Sequence, residues 1–174
     1  MNALLSKQIA NIVGPQSVVT EFQVAQYAVD GIVPGAVAFP ENRQLLSEVL
    51  KWAATEKATV FPRGGGTKLG LGNTPERVDL VLDLRRLDRV LDYQPADMTV
   101  TAESGITISA LQQELAGGGM FLPLEAPLAA EATVGGTLSV AGSGPLAFTY
   151  GPPRDWLIGI GVGGADGTVT KAGG

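Results

Sequence analysis

Apolar residues near the start of the chain fall at helical spacing, Leu4, Leu5, Ile9, Ile12 and Val13, and Gly14-Pro15 follows as a stop. The pattern predicts an amphipathic helix. Residues 15–38 have no clean period and read as a loop-rich lead-in, with Tyr27 and Asp30 in no recognisable constellation. After Pro40, Leu45, Leu46, Val49, Leu50, Ala53 and Ala54 form a stripe that Glu41, Arg43, Glu48, Lys51 and Glu56 mostly avoid, which predicts a helix over 41–57 packed on a sheet. The run Ala58-Thr59-Val60-Phe61 and the run Val78 to Leu84 read as buried strands, completing a small α/β lobe. Arg85, Arg86, Asp88 and Arg89 then read as a solvated turn.

Beyond Pro95 the pattern changes. Met98 to Glu103 alternates as a half-buried strand, and Thr107 caps a predicted helix bearing Ile108, Leu111 and Leu115, closed by Gly117-Gly118-Gly119. Met120-Phe121-Leu122-Pro123 resumes as strand, and Trp156 to Gly167 reads as strand and turn, with Asp166-Gly167 as a hairpin signal. The expected organisation is a helical lead-in over 1–33, a first lobe over 34–95 and a second, α+β lobe over 96–174.

Composition narrows the chemistry. The 174 residues are 45% hydrophobic, enough for a real core, and 24 are glycine, about twice the usual share of roughly 7%. There is no Cys and no His, which excludes thiolate or imidazole metal sites, a cysteine nucleophile and a Ser-His-Asp triad. No metal site is expected, and chemistry must come from a bound cofactor or another chain. A net charge of −5 argues against a nucleic-acid partner. No targeting signal and no membrane-length apolar run is visible, and a cytoplasmic location is expected.

The glycines concentrate in two places. Arg63-Gly64-Gly65-Gly66-Thr67-Lys68 joins strand to strand, and a loop of adjacent glycines can turn successive N–H groups into one concavity, an anion cradle suited to phosphate. It is not a P-loop, because Lys68 follows Thr67 and precedes Leu69; it is not a dinucleotide fingerprint, because the sixth position from Gly64 is Leu69. The second place is Pro127 to Gly144, where small residues allow the backbone to lie against something large and flat, with Thr133 and Ser143 offering hydroxyls.

In order along the chain stand Pro-Arg-Gly-Gly-Gly-Thr, Pro127 with Ala132-Thr133-Val134-Gly135-Gly136, Gly142-Ser143-Gly144, Tyr150-Gly151 with Arg154-Asp155, and Ile158-Gly159-Ile160 through Val162 to Ala165-Asp166-Gly167. This ordered set resembles the FAD-binding domain of the vanillyl-alcohol oxidase (PCMH-type) flavoproteins, and within it the glycolate oxidase FAD-binding subunits, from about Pro34 to Gly174. The resemblance implies an α+β, two-lobed PCMH-type FAD-binding domain, its second lobe incomplete and its cap domain absent. It implies FAD, held without a covalent bond because no His or Cys is present to attach it. The amides of Arg63 to Thr67, beside Lys68, would cradle the pyrophosphate from one lobe. Pro127, Thr133, Gly135 and Gly136 would approach from the other, Ser143 and Gly144 would lie along the cofactor, and the Val162 backbone would meet the adenine. Arg154 and Asp155 read as an ion pair holding the lobe.

By the same resemblance the chain is the FAD-binding portion of a flavin-dependent 2-hydroxyacid (glycolate) oxidase or dehydrogenase subunit. A small 2-hydroxyacid is then the substrate of the full enzyme, and other oxidase subunits are its partners. A related D-lactate dehydrogenase, a sugar-lactone oxidase and a non-catalytic nucleotide- or partner-binding module are the alternatives. No side chain is assigned as catalytic base. Gly161, Gly163 and Gly164 stand where the family carries bulkier residues, so the strand after Trp156 is expected to pack poorly.

Overall fold

A computed structural model describes residues 2–174. In chain order it contains α1 (Asn2–Val13), β1 (Val18–Val19), β2 (Ala36–Ala38), α2 (Arg43–Glu56), β3 (Val60–Arg63), β4 (Leu80–Asp83), β5 (Val90–Gln94), β6 (Thr99–Ala102), α3 (Ile108–Ala116), α4 (Val134–Ser139), α5 (Ala147–Tyr150), β7 (Gly159–Gly163) and β8 (Val169–Gly173). These elements form two compact units. The first comprises the residues up to Arg63, Lys68–Arg86 and Gly159–Gly174; the second comprises Gly64–Thr67 and Leu87–Ile158. The sequence places a lobe boundary at 95/96, a position straddled by the β5–β6 hairpin, which pairs Gln94 with Thr99.

The first unit is built on a four-stranded sheet in the order β1-β2-β4-β3. β4 runs parallel to both neighbours, aligning Leu80 with Ala36 and with Val60. Ala36, Val37, Ala38, Leu80, Val81 and Leu82 are all buried, the signature of parallel strands covered on both faces. One face packs against Ile9 and Val13 of α1 and Val49 of α2; the other packs against Val24 and Val78, with Tyr27, Phe39 and Phe61 around them. α2 starts two residues later than its pattern suggests, because the Asn42 side chain accepts a hydrogen bond from the Leu45 N–H at 2.9 Å and caps it. The stretch expected to be loop-rich holds a central strand: β2 is three residues long between Gly35 and Pro40, too short to show a period.

The β7–β8 hairpin also belongs to this unit, and its glycines have a packing role. A β-carbon on Gly163 would press on Leu50, and one on Gly167 on the Ser47 carbonyl and Lys51, so the bare backbone is what lets the hairpin approach α2. The Ser47 hydroxyl donates to the Gly167 carbonyl at 2.5 Å. The strand is otherwise loosely packed, as expected, with every residue from Ile160 to Gly163 exposed. Ile160 and Val162 alternate with the glycines and are 42% and 48% exposed.

In the second unit β5 and β6 pair antiparallel, and α3 begins at Thr107, whose side chain accepts from the Ala110 N–H at 3.1 Å. Ile106, Leu111 and Leu115 form one core cluster and Ile108, Leu124 and Ala132 another. Met120 to Pro123 is not a strand. Its Leu122 is held instead by the Gln112 side chain, which accepts from the Leu122 N–H at 3.0 Å and donates to the Leu122 carbonyl. The charge cluster after β4 is an exposed turn, as expected, and its arginines are also paired, Arg85 with Asp83, Arg86 with Glu41 and Arg89 with Glu103. Among the described residues no helix is long and apolar enough to cross a membrane, and no three His, Cys, Asp or Glu gather as a metal site.

Candidate functional site

The first glycine loop is shaped by close packing within the second unit. A β-carbon on Gly64 would overlap the Thr133 hydroxyl, and one on Gly65 would overlap the Glu131 carbonyl oxygen. Gly66 takes φ 76°, in the left-handed region. Glycine at 64 and 65 is thus required by the Thr133 side chain and the Glu131 backbone behind the loop as well as by any ligand before it. Among the described residues no hydrogen bond has the N–H of Gly64, Gly65, Gly66, Thr67 or Lys68 as donor.

The second glycine site is arranged differently. Thr133 is 2% exposed and caps α4, accepting from the Gly136 N–H at 3.2 Å. The Val134 N–H donates to the Ile106 carbonyl at 2.9 Å, the Gly135 N–H to the Ser104 carbonyl at 2.8 Å and the Thr137 N–H to the Thr133 carbonyl at 2.9 Å. Every amide of this first turn is satisfied internally. Gly135 is needed because a β-carbon there would press on Ser104. Thr133 and Glu131 therefore back the loop, and the unpartnered donors lie in the loop itself.

The other expected residues are dispersed. Pro127 is exposed and precedes Leu128, a leucine at φ 56° whose carbonyl accepts the N–H groups of Glu131 and Ala132 at 2.8 Å. Ser143 is exposed. Gly144 lies against Glu125, whose carboxylate accepts from the Leu146 N–H at 2.6 Å. Val162 sits in β7 opposite Thr170, in the first unit, and Lys68 is half-buried there. Arg154 and Asp155 do pair, at 3.5 Å, but both are exposed and such a pair contributes little.

Arg63 ends β3 in the first unit, with companions the sequence does not reveal. Its guanidinium donates to Asp83 Oδ2 at 2.8 Å and lies 5.1 Å from the centre of the Tyr27 ring, while its Nε is buried with no partner. Asp83 is 0% exposed and also accepts from the Arg85 backbone N–H, Nε and a terminal nitrogen. The hydrogen bond to Asp83 raises the Arg85 guanidinium above its ordinary pKa, against the opposing effect of burial. The only signal in the sequence was a lone acid at the end of the apolar run Leu80-Val81-Leu82.

The amides of Gly64 to Thr67, none of which has an acceptor among the described residues, are a donor set without acceptors. An anionic phosphate or diphosphate fits it. Residues 34–173 match the model of the FAD binding domain family. The chain belongs to that family. Among curated relatives, a D-2-hydroxyglutarate dehydrogenase of Xanthomonas citri is 30% identical over 74% of this chain and 27% of its own length. The glycolate oxidase subunit GlcD of Bacillus subtilis is 28% identical over 82% and 30%. The mitochondrial cytochrome-type D-lactate dehydrogenase of Arabidopsis thaliana is 31% identical over 80% and 24%. The chain thus spans 24–30% of the length of these relatives. Among solved structures, the grass pollen allergen Phl p 4, with glucose dehydrogenase activity, superposes with TM-score 0.83 over 97% of this chain and 37% of its own at 16% identity. A p-cresol methylhydroxylase superposes with TM-score 0.71 over 97% and 35% at 19% identity. These confirm the α+β PCMH-type fold.

Proposed function

We propose that this chain supplies the FAD-binding part of a flavin-dependent 2-hydroxyacid oxidase or dehydrogenase of the glycolate oxidase type. The observation that carries the reading is the unpartnered amide row of Gly64 to Thr67, packed against Glu131 and Thr133. These amides would hold the FAD diphosphate, and Arg63 and Lys68, which flank them in the sequence, are proposed as cofactor-binding residues with them. The reading extends to Pro127, Ser143, Gly144 and Val162 as further cofactor contacts. The bound flavin supplies the acceptor for a hydride from the substrate's hydroxyl-bearing carbon. The chain's own residues bind and orient it, and with no His or Cys they do so without a covalent link.

The substrate class rests on the relatives, which are named for glycolate, D-lactate and D-2-hydroxyglutarate. Further subunits are proposed as partners because one relative is itself named as a subunit. The test is titration of the purified chain with FAD, with FMN as comparison, followed by flavin fluorescence. Tight binding of FAD, weakened strongly by Thr67→Pro, which deletes one amide of the row, is the expected result. Equal affinity for FMN, or FAD affinity unaffected by Thr67→Pro, overturns the diphosphate assignment.

A further inference from the structure

We propose that Leu128 is a cofactor-contacting residue, its exposed side chain offering an apolar surface to a ring of FAD held at the Gly64–Thr67 amides. The inference rests on the reading of those amides as a diphosphate cradle, and every residue it uses belongs to the second unit.

Leu128 stands in the turn that backs the cradle. The Leu128 carbonyl closes the turn, accepting the N–H groups of Glu131 and Ala132 at 2.8 Å. The turn is also pinned to the start of α3, where the Ser109 N–H donates to the Ala129 carbonyl and the Ile108 N–H to the Ala132 carbonyl, both at 2.9 Å. Ala132 is buried in one cluster with Ile108 and Leu124. Near the end of the turn, the Glu131 carbonyl oxygen lies where a β-carbon on Gly65 would be. A turn fixed from both sides can hold one residue in an unfavourable backbone conformation. That residue is Leu128, at φ 56°.

Stability does not account for a leucine there. The left-handed region brings any β-carbon against a neighbouring carbonyl, so a position that served only the turn would favour glycine or asparagine. The usual compensation, burial of the side chain, is missing: Leu128 is 61% exposed and joins neither apolar cluster of the second unit. Its neighbours Pro127 and Ala130 are exposed as well, so the turn presents a carbon surface beside a row of hydrogen-bond donors. FAD has the matching composition, a diphosphate that takes the donors and flat rings on either side of it that take apolar contact. Burial of the leucine side chain is thereby deferred to the moment of binding.

The experiment is titration of the 174-residue chain and its variants with FAD, and with inorganic diphosphate as competitor, alongside far-UV circular dichroism and a melt of each without FAD. Leu128→Ala keeps the β-carbon and the backbone strain but removes the apolar end of the side chain. It is expected to weaken FAD binding about fivefold, the scale of part of a leucine side chain left in water. Inorganic diphosphate has no ring, and its own affinity is expected to be the same in both chains. Leu128→Gly removes the strain as well, and is expected to lose FAD affinity by a similar factor with no fall in the FAD-free melting temperature. A folded Leu128→Ala chain that keeps wild-type FAD affinity overturns the proposal. Equal weakening of FAD and inorganic diphosphate in that variant also overturns it, because it reports a displaced loop and not a lost contact. A lowered FAD-free melt in Leu128→Gly does the same, since the leucine then serves the fold. If Leu128→Ala does not fold, Leu128→Gly decides, and wild-type FAD affinity in that variant overturns the proposal. Thr67→Pro separates the two levels: a loss of binding there with none in the Leu128 variants defeats this inference alone, whereas no loss there removes the cradle and this inference with it.

Discussion

The α-carbon of Gly65 lies so close to the carbonyl oxygen of Glu131 that a β-carbon would overlap it. Side-chain-bearing residues at 65 must push the loop away from its backing before they meet any ligand. Gly65→Ala should therefore destabilise the FAD-free chain by about 1–3 kcal/mol, the usual cost of overpacking. Urea unfolding without FAD checks this, with a lower midpoint at unchanged slope as the expected result. Loss of FAD binding in Gly65→Asp or Gly135→Asp reports first on the fold.

Thr133 supplies a second prediction. Its hydroxyl caps α4, so Thr133→Val should cost about 1 kcal/mol, and Thr133→Ser, which keeps the acceptor, markedly less. Chemical denaturation of the two variants side by side measures the difference.

Acid sensitivity should localise in part to the β7–β8 turn. The Thr168 backbone N–H and then its hydroxyl donate to Asp166 at 2.9 and 2.8 Å and hold its carboxyl below the ordinary value of 3.8. A depressed carboxyl stabilises the fold above its unfolded pKa and loses that contribution as pH falls through the folded one. Wild type should therefore lose stability below about pH 4. Asp166→Asn should flatten that limb. Melts from pH 7 to pH 3 on both proteins provide the comparison.

FAD at a hundredfold excess over its dissociation constant should stabilise the chain by about 2.7 kcal/mol if it binds only the folded form. Thermal melts with and without FAD test this. Turnover of glycolate by the chain alone is expected to be absent, since none of its side chains is assigned to hold the substrate against the flavin and such positioning supplies much of an enzyme's rate. A dye-reduction assay with FAD and glycolate checks it.

Much of the first unit was legible. α2 announces itself by its stripe and β3 and β4 by short apolar runs, because burial on one or both faces leaves a pattern in the residues themselves. β2 was hidden because Ala36-Val37-Ala38 is too short to carry one. Met120 to Leu122 misled for a different reason: the partner that satisfies Leu122 is the side chain of Gln112, and no periodicity encodes it. Both glycine sites were visible as composition. Their division into unpartnered amides at 64–67 and satisfied amides at 134–137 was not, since it depends on carbonyls of Ser104, Ile106 and Thr133 brought there by the fold. Asp83 and Tyr27 lie 20 and 36 positions from Arg63 in the sequence, and only strand register and packing unite them.

The hairpin that docks on α2 follows it in the sequence only after Leu87–Ile158 of the second unit. During synthesis the sheet of β1 to β4 can close early, yet the α2 surface bearing Leu46 and Leu50 stays uncovered until β7 and β8 emerge. Joining them requires closure across the whole of Leu87 to Ile158, a non-local step that slows folding. Collapse of that intervening segment shortens the distance to be closed. Refolding of the 174-residue chain should therefore show docking of β7 and β8 as a phase later than sheet formation, and the apolar face of α2 is the surface a nascent chain must keep from other chains until then.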